Sequence, residues 1–268
     1  MVRKPLRSFP RRVRLTPAFV AAVALTATAT ASAQGLAPQT IERVKPSIVA
    51  VGTFQRLRSP AFVFSGTGFI VGDGLTVATN EHVVPRLTNP EKGEIIAIAI
   101  PGADIKEARI RPARKIAADQ DSDLALLGID GPALPALRLI DTPNVREGES
   151  YLFTGFPIGS VLGLFPVTHR SMVAAISPVA IPVARADQLN PRVVRRLNSA
   201  GFPIFQLDAV AYPGNSGSPV YHPDSGVVIG IVNSVFVKGS RESALTQPSG
   251  ITYAIPSQRL KVLLERGR

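Results

Sequence analysis

The 268-residue chain contains no cysteine and no tryptophan, and it has three histidines and 19 acidic residues against 30 basic ones. Without cysteine there can be no disulfide-stapled scaffold, no thiolate chemistry and no cysteine-based metal site. The histidines, His82, His169 and His222, are scattered and show no ligand spacing, so neither a metal nor a cofactor is assigned. Acids are missing altogether from residues 1–33. No apolar run has the length of a permanent membrane span. Long helical periodicity is missing between the strand-like segments, which excludes a doubly wound α/β sheet.

What is present begins with a leader-like N-terminus. Six basic residues (Arg3, Lys4, Arg7, Arg11, Arg12, Arg14) precede the apolar stretch "AFVAAVAL" and the small residues Ala31-Ser32-Ala33. This pattern predicts a signal peptide over 1–33, cleaved before Gln34, and export to a periplasmic or extracellular space. An uncleaved anchor and a transit peptide are the alternatives, and Arg11-Arg12 leaves the route, Sec or twin-arginine, open. Cleavage would leave 235 residues and, with six positive charges gone, lower the formal net charge from +11 to +5. No stable membrane insertion is then expected. The remaining basic cluster, "NPRVVRRLNSA" at 190–200, has no interleaved aromatics, so no nucleic-acid partner is assigned.

The body of the chain is a series of short runs rich in Val, Ile, Phe and Thr, punctuated by glycine: "SIVAVGTF", "AFVFSGTGFIVG", "GLTVAT", "GEIIAIAI", "EARIRPARKIAA" and "SDLALLGI". After a proline-rich junction, Pro132 to Pro143, the style repeats in "ESYLFTGFP", "LFPVTHRSMVAAIS", "FPIFQLDAV", "SGVVIGIVNSVF" and "ITYAIP". Many short strands with glycine turns predict an all-β barrel or sandwich. "APQTIERVKPS" reads as one or two helical turns stopped by Pro46, and "PSQRLKVLLERGR" as an amphipathic helix with Leu260, Val262, Leu263 and Leu264 clustered.

Three segments carry chemistry. Ser216 lies in "YPGNSGSPV", where small flanking residues let the backbone turn so that the amides of Gly214 and Ser216 share one side. An ordinary turn would use the same residues. His82 follows a strand-like run in "LTVATNEHVVP"; His169 lies in a strand-like run and His222 in a turn. Asp123 opens "DLALLGI", where a half-buried carboxylate needs a partner such as a histidine N–H. Asp208 is the rival acid. The order His82, Asp123, Ser216 is that of two-barrel serine proteases.

Taken together, "GTGFIVGDGLTVATNEHVV", "DSDLALLGI" and "DAVAYPGNSGSPV", with "ERVKPSIVAV", "TGFPIG" and "ITYAIPSQRLKVLLE", resemble the HtrA/Deg group of trypsin-like serine proteases over most of residues 38–265. The resemblance implies a trypsin-like double six-stranded β-barrel with a C-terminal helix, the barrels at about 47–135 and about 148–255 and the helix at about 256–267. It makes His82 the general base, Asp123 its orienting acid, Ser216 the nucleophile, and the Gly214 and Ser216 amides the oxyanion donors. By loop position, Val210 would lie at the base of the substrate pocket, and residues 229–234, with Ile231 and Asn233, would form a wall. The implied activity is that of an exported serine endopeptidase acting on unfolded or flexible polypeptides, without cofactor. A catalytically idle binding or chaperone module and an esterase are its rivals. Ser218 stands where relatives have glycine, Asn215 where digestive-type relatives have an activating aspartate, and no PDZ segment follows in this sequence.

Overall fold

The computed structural model describes residues 37–85, 88–102, 108–140, 144–178, 202–233 and 250–267. The leader and the basic cluster at 190–200 lie outside the described residues.

A helix, Ala37–Val44, runs into a 3-10 turn at Lys45–Ser47 that carries Pro46. Six strands follow: β1 (Ile48–Phe54), β2 (Phe62–Val71), β3 (Thr76–Thr79), β4 (Ile95–Ile100), β5 (Arg109–Asp119) and β6 (Leu124–Ile129). They close into an antiparallel barrel in the order β1-β2-β3-β6-β5-β4. A second set, β7 (Ser150–Gly155), β8 (Val167–Pro178), β9 (Pro203–Asp208), β10 (Pro219–Tyr221), β11 (Val228–Asn233) and β12 (Ile251–Pro256), closes in the equivalent order β7-β8-β9-β12-β11-β10. Closure leaves no unpaired sheet edge to recruit another chain. The fold is the trypsin-like double barrel.

Alternation along each strand divides the apolar residues between two cores. In the first barrel Val49, Val51, Ile70, Val77, Ile98, Ala125 and Leu127 fill the interior. Their strand neighbours Ile48, Ala50, Phe69, Ala78, Ala99, Leu124 and Leu126 face outward into a shared cluster. The second barrel is filled by Tyr151, Phe153, Val173, Phe205, Leu207, Val220 and Val232. Leu152, Tyr221, Val228, Ile231 and Ile255 join the shared cluster from its outer face. This explains why runs such as "IVAV" and "LALLGI" are apolar at every position: both faces are covered. Each fully buried Val, Leu, Ile or Phe among them contributes on the order of 1.5–3 kcal/mol.

The C-terminal helix, Ser257–Arg266, buries Leu260 and Leu263 in the shared cluster and touches β5, β6, β11 and β12. Val262, read from the sequence as part of the same face, is 42% exposed. It lies two residues from Leu260, which puts it on nearly the opposite side of a 3.6-residue turn. Among the described residues no helix is long and apolar enough to cross a membrane.

Candidate active site

His82 sits in a 3-10 turn, Glu81–Val83, at the end of β3. Asp123 stands at the mouth of β6, the strand that pairs with β3. That pairing brings the two segments together across 41 residues. His82 Nδ1 is 2.6 Å from Asp123 Oδ2, and the His82 backbone N–H donates to Asp123 Oδ1 at 3.1 Å. Asn233, at the end of β11, donates from Nδ2 to Asp123 Oδ2 at 2.8 Å. The Asp123 carbonyl accepts from Asn80 Nδ2 and from the Glu81 amide, both at 3.1 Å.

Asp123 is thus a carboxylate that is 1% exposed and holds three donors. Burying that charge is tolerable only with such partners. Its φ of 54° lies in the left-handed region, where a residue other than glycine is held by its surroundings, commonly at functional sites. The ionised carboxylate can only accept, so Nδ1 of neutral His82 carries the ring proton. Nε2 is left with its lone pair, and the side chain is 20% exposed.

Ser216 enters from the second barrel. Its carbonyl accepts from the Thr67 amide of β2 at 2.9 Å, and the Gly217 amide donates to Val232 at 3.0 Å. A Cβ at Gly217, where φ is 88°, would lie 1.9 Å from the Thr67 carbonyl. Only glycine lets this loop press so closely against the first barrel. The Ser216 carbonyl also lies beside Gly66, which abuts Val83, the neighbour of His82. The three segments singled out in the sequence therefore converge where the barrels meet, with Ser216 itself 7% exposed.

The rival residues lie elsewhere. Asp208 is exposed at the end of β9, opposite Ile251 and Met172. His169 is stacked on Phe153 at 4.7 Å, and burial holds its pKa below the ordinary imidazole value. His222 Nδ1 accepts from the Asp224 amide in the turn after β10. Val210 is half-buried in the coil between β9 and the Ser216 loop.

Ile231 and Asn233, expected along a pocket wall, both have their side chains turned inward. Ile231 is fully buried in the shared cluster, and Asn233 is fully buried against Asp123. Both occupy the face of β11 that is turned to the first barrel. Asn233 thus bonds the carboxylate that partners His82. Ser218 is also fully buried, its Oγ filling the space that a Cβ on Gly155 would need. It does not crowd the cleft. Among the described residues no group of three or more His, Cys, Asp or Glu is placed to hold a metal ion.

Comparison with known proteins gives a consistent picture. Residues 66–231 match the model of the trypsin-like peptidase domain. The chain is 30% identical over 230 residues to serine protease HTR4 of Bos taurus, covering 84% of this chain and 40% of that protein. It is 29% identical over 191 residues to a probable periplasmic serine endoprotease, DegP-like, of Halomonas elongata, covering 71% and 32%. The chain spans about 40% of the length of the first of these relatives and less of the second. The serine endoprotease from Yersinia pestis superposes with a TM-score of 0.59 at 24% identity, over 86% of this chain and 65% of that one.

Proposed function

The chain belongs to the trypsin-like peptidase family, and on that premise we propose that it is an HtrA-like serine endopeptidase. The observation that carries the reading is the 2.6 Å contact between His82 Nδ1 and a buried Asp123 carboxylate, in a cleft that also receives Ser216. A carboxylate in that position fixes the tautomer of the imidazole and stabilises its protonated form. Ser216 Oγ attacks the scissile carbonyl while His82 Nε2 takes the hydroxyl proton. The amides of Gly214 and Ser216 hold the resulting oxyanion. Collapse expels the amine, which leaves with the proton from His82. Water, activated by the same imidazole, then releases the acyl group from Ser216.

A cleft between barrels accepts an extended strand, which favours unfolded or flexible polypeptides as substrates. Val210, assigned by loop position to the base of the primary pocket, supplies no acid, so the pocket takes small or medium aliphatic side chains rather than Lys or Arg. The leader pattern of residues 1–33, together with the periplasmic DegP-like relative, supports export.

The test is degradation of casein by the purified chain, together with fluorophosphonate labelling. Ser216→Ala should abolish labelling and lower turnover by several orders of magnitude. A chain that is folded but neither labelled nor active is an idle module. One that cleaves simple esters and no peptide is an esterase.

A further inference from the structure

The loop bearing Ser216 has four consecutive carbonyls tied down. Pro213 O accepts from the Ile158 amide at 2.7 Å, Gly214 O from Thr67 Oγ1 at 2.7 Å, Asn215 O from the Ser218 amide at 3.0 Å, and Ser216 O from the Thr67 amide at 2.9 Å. In a trans peptide the C=O and the N–H point in opposite directions. Tying Pro213 O and Asn215 O therefore directs the N–H groups of Gly214 and Ser216 to the other side. These are the two proposed oxyanion donors.

Between those two donor planes lies the Gly214–Asn215 peptide. Gly214 has φ of 101° and no Cβ, so its own torsions restrain it little. A Cβ there would meet the Phe156 carbonyl at 2.3 Å, so no larger residue can supply the stiffness. The restraint comes from partners at both ends of the peptide: the Asn215 amide donates to Tyr212 O at 3.0 Å within the loop, and from outside the loop the Thr67 hydroxyl holds Gly214 O. That hydroxyl also accepts from the Phe156 amide at 3.1 Å. An amide can only donate and a carbonyl can only accept, so the hydroxyl proton must point at Gly214 O. Thr67 is fully buried, and its own carbonyl accepts from Thr79 Oγ1 at 2.7 Å.

We propose that Thr67 is a positioning residue, whose hydroxyl fixes the Gly214–Asn215 peptide and thereby aims the two oxyanion donors. This rests on the reading of the site as a serine peptidase. The first barrel, through one residue of β2, sets the electrophile-binding geometry of a loop that belongs to the second. A merely structural threonine would affect stability and leave the two kinetic constants in proportion. A positioning threonine affects the step in which charge develops on oxygen.

The experiment compares the parent chain with Thr67→Val, which keeps the shape and loses the hydroxyl, and Thr67→Ser, which keeps the hydroxyl. The substrate is a peptide spanning a mapped casein cleavage site. The binding probes are the N-terminal product peptide and its boronic acid analogue, which forms a tetrahedral adduct. Thr67→Val should lower kcat by about 10²-fold, the scale of losing one oxyanion donor, with KM within about threefold. Boronate affinity should fall alongside kcat while product affinity holds. Thr67→Ser should stay within about threefold of the parent, and the pH profile should be unchanged in both.

The proposal is overturned if Thr67→Val keeps the parent kcat, if the loss lies wholly in KM, or if Thr67→Ser is as poor as Thr67→Val. Should Thr67→Val fail to fold, Thr67→Cys replaces it, its thiol being a weak donor of similar size. A kcat about tenfold below the parent at constant KM then supports the proposal, and a parent-like kcat overturns it. A folded parent that neither cleaves peptide nor labels at Ser216 removes the peptidase reading, and this inference with it. An active parent with a normal Thr67→Val removes this inference alone.

Discussion

The two barrels share one strand order but support the candidate site in opposite ways. On the side of the first barrel, Asp123 has every bond a buried carboxylate needs: the ring and amide of His82, and Asn233 reaching across. On the side of the second, Asn215, next to Ser216 and equally buried, has no hydrogen-bond partner among the described residues at either Nδ2 or Oδ1, and neither has Ser218 Oγ beside it. The base is therefore held through side chains, and the loop that carries the nucleophile through its backbone. Side-chain support fixes a proton's location. Backbone support fixes where amides point, and it asks nothing of the loop's own polar side chains.

Breaking the first kind of support should have the largest effect. Asp123→Asn can present an amide N–H to His82 and so favour the wrong ring tautomer; kcat should fall by about 10⁴-fold, as read by single-turnover peptide cleavage. A fall of less than tenfold would mean that Asp123 does not orient the base.

The contrast itself is measured by a matched pair of variants. Asn233→Ala removes a donor from a buried charge, whereas Asn215→Ala removes no side-chain hydrogen bond to any described residue. Denaturant unfolding should find Asn233→Ala less stable than Asn215→Ala by about 1–2 kcal/mol. Peptidase activity should fall about tenfold in the former, one charge-assisted bond being worth roughly that much or more. Equal losses would show that the Asn215 amide is bonded in solution, through water.

The smallest effect tests a polar group outside both supports. His169 Nε2 is buried without a partner among the described residues, and desolvation lowers the pKa of the ring in the folded protein. Below an unfolded value of about 6.5 the unfolded chain binds the proton first. Stability attributable to His169 is thus present above that pH and lost as pH falls toward the lower folded value. His169→Phe should make the decline in Tm between pH 7 and pH 5 shallower than in the parent. An unchanged slope would place the pH dependence elsewhere.

How much of this was legible depends on what each residue needs. The strand runs were readable because burial on both faces leaves continuous apolar letters. β10, at three residues, is too short to show a period. The strand that carries Ile231 and Asn233 is legible, but the side to which their side chains turn is not. Which way a strand residue points depends on register, and β11 shifts register opposite Val220 and Tyr221, a local irregularity that leaves no mark in "VIGIVN". Asp123 was preferred to Asp208 on a pattern of burial that the structure shares. Thr67 was unreadable as a site residue, because its two hydroxyl partners lie 89 and 147 residues away and a threonine in a glycine-rich strand has many ordinary uses.

The C-terminal helix touches strands of both barrels, and its residues 257–266 come after the twelve described strands in the chain. Each barrel can close with its own strands, but the outward-facing residues Leu126 and Ile255 keep part of their surface wet until Leu260 and Leu263 cover it. In chain order the inter-barrel seam is completed last, by a segment that lies beyond His82, Asp123 and Ser216 alike.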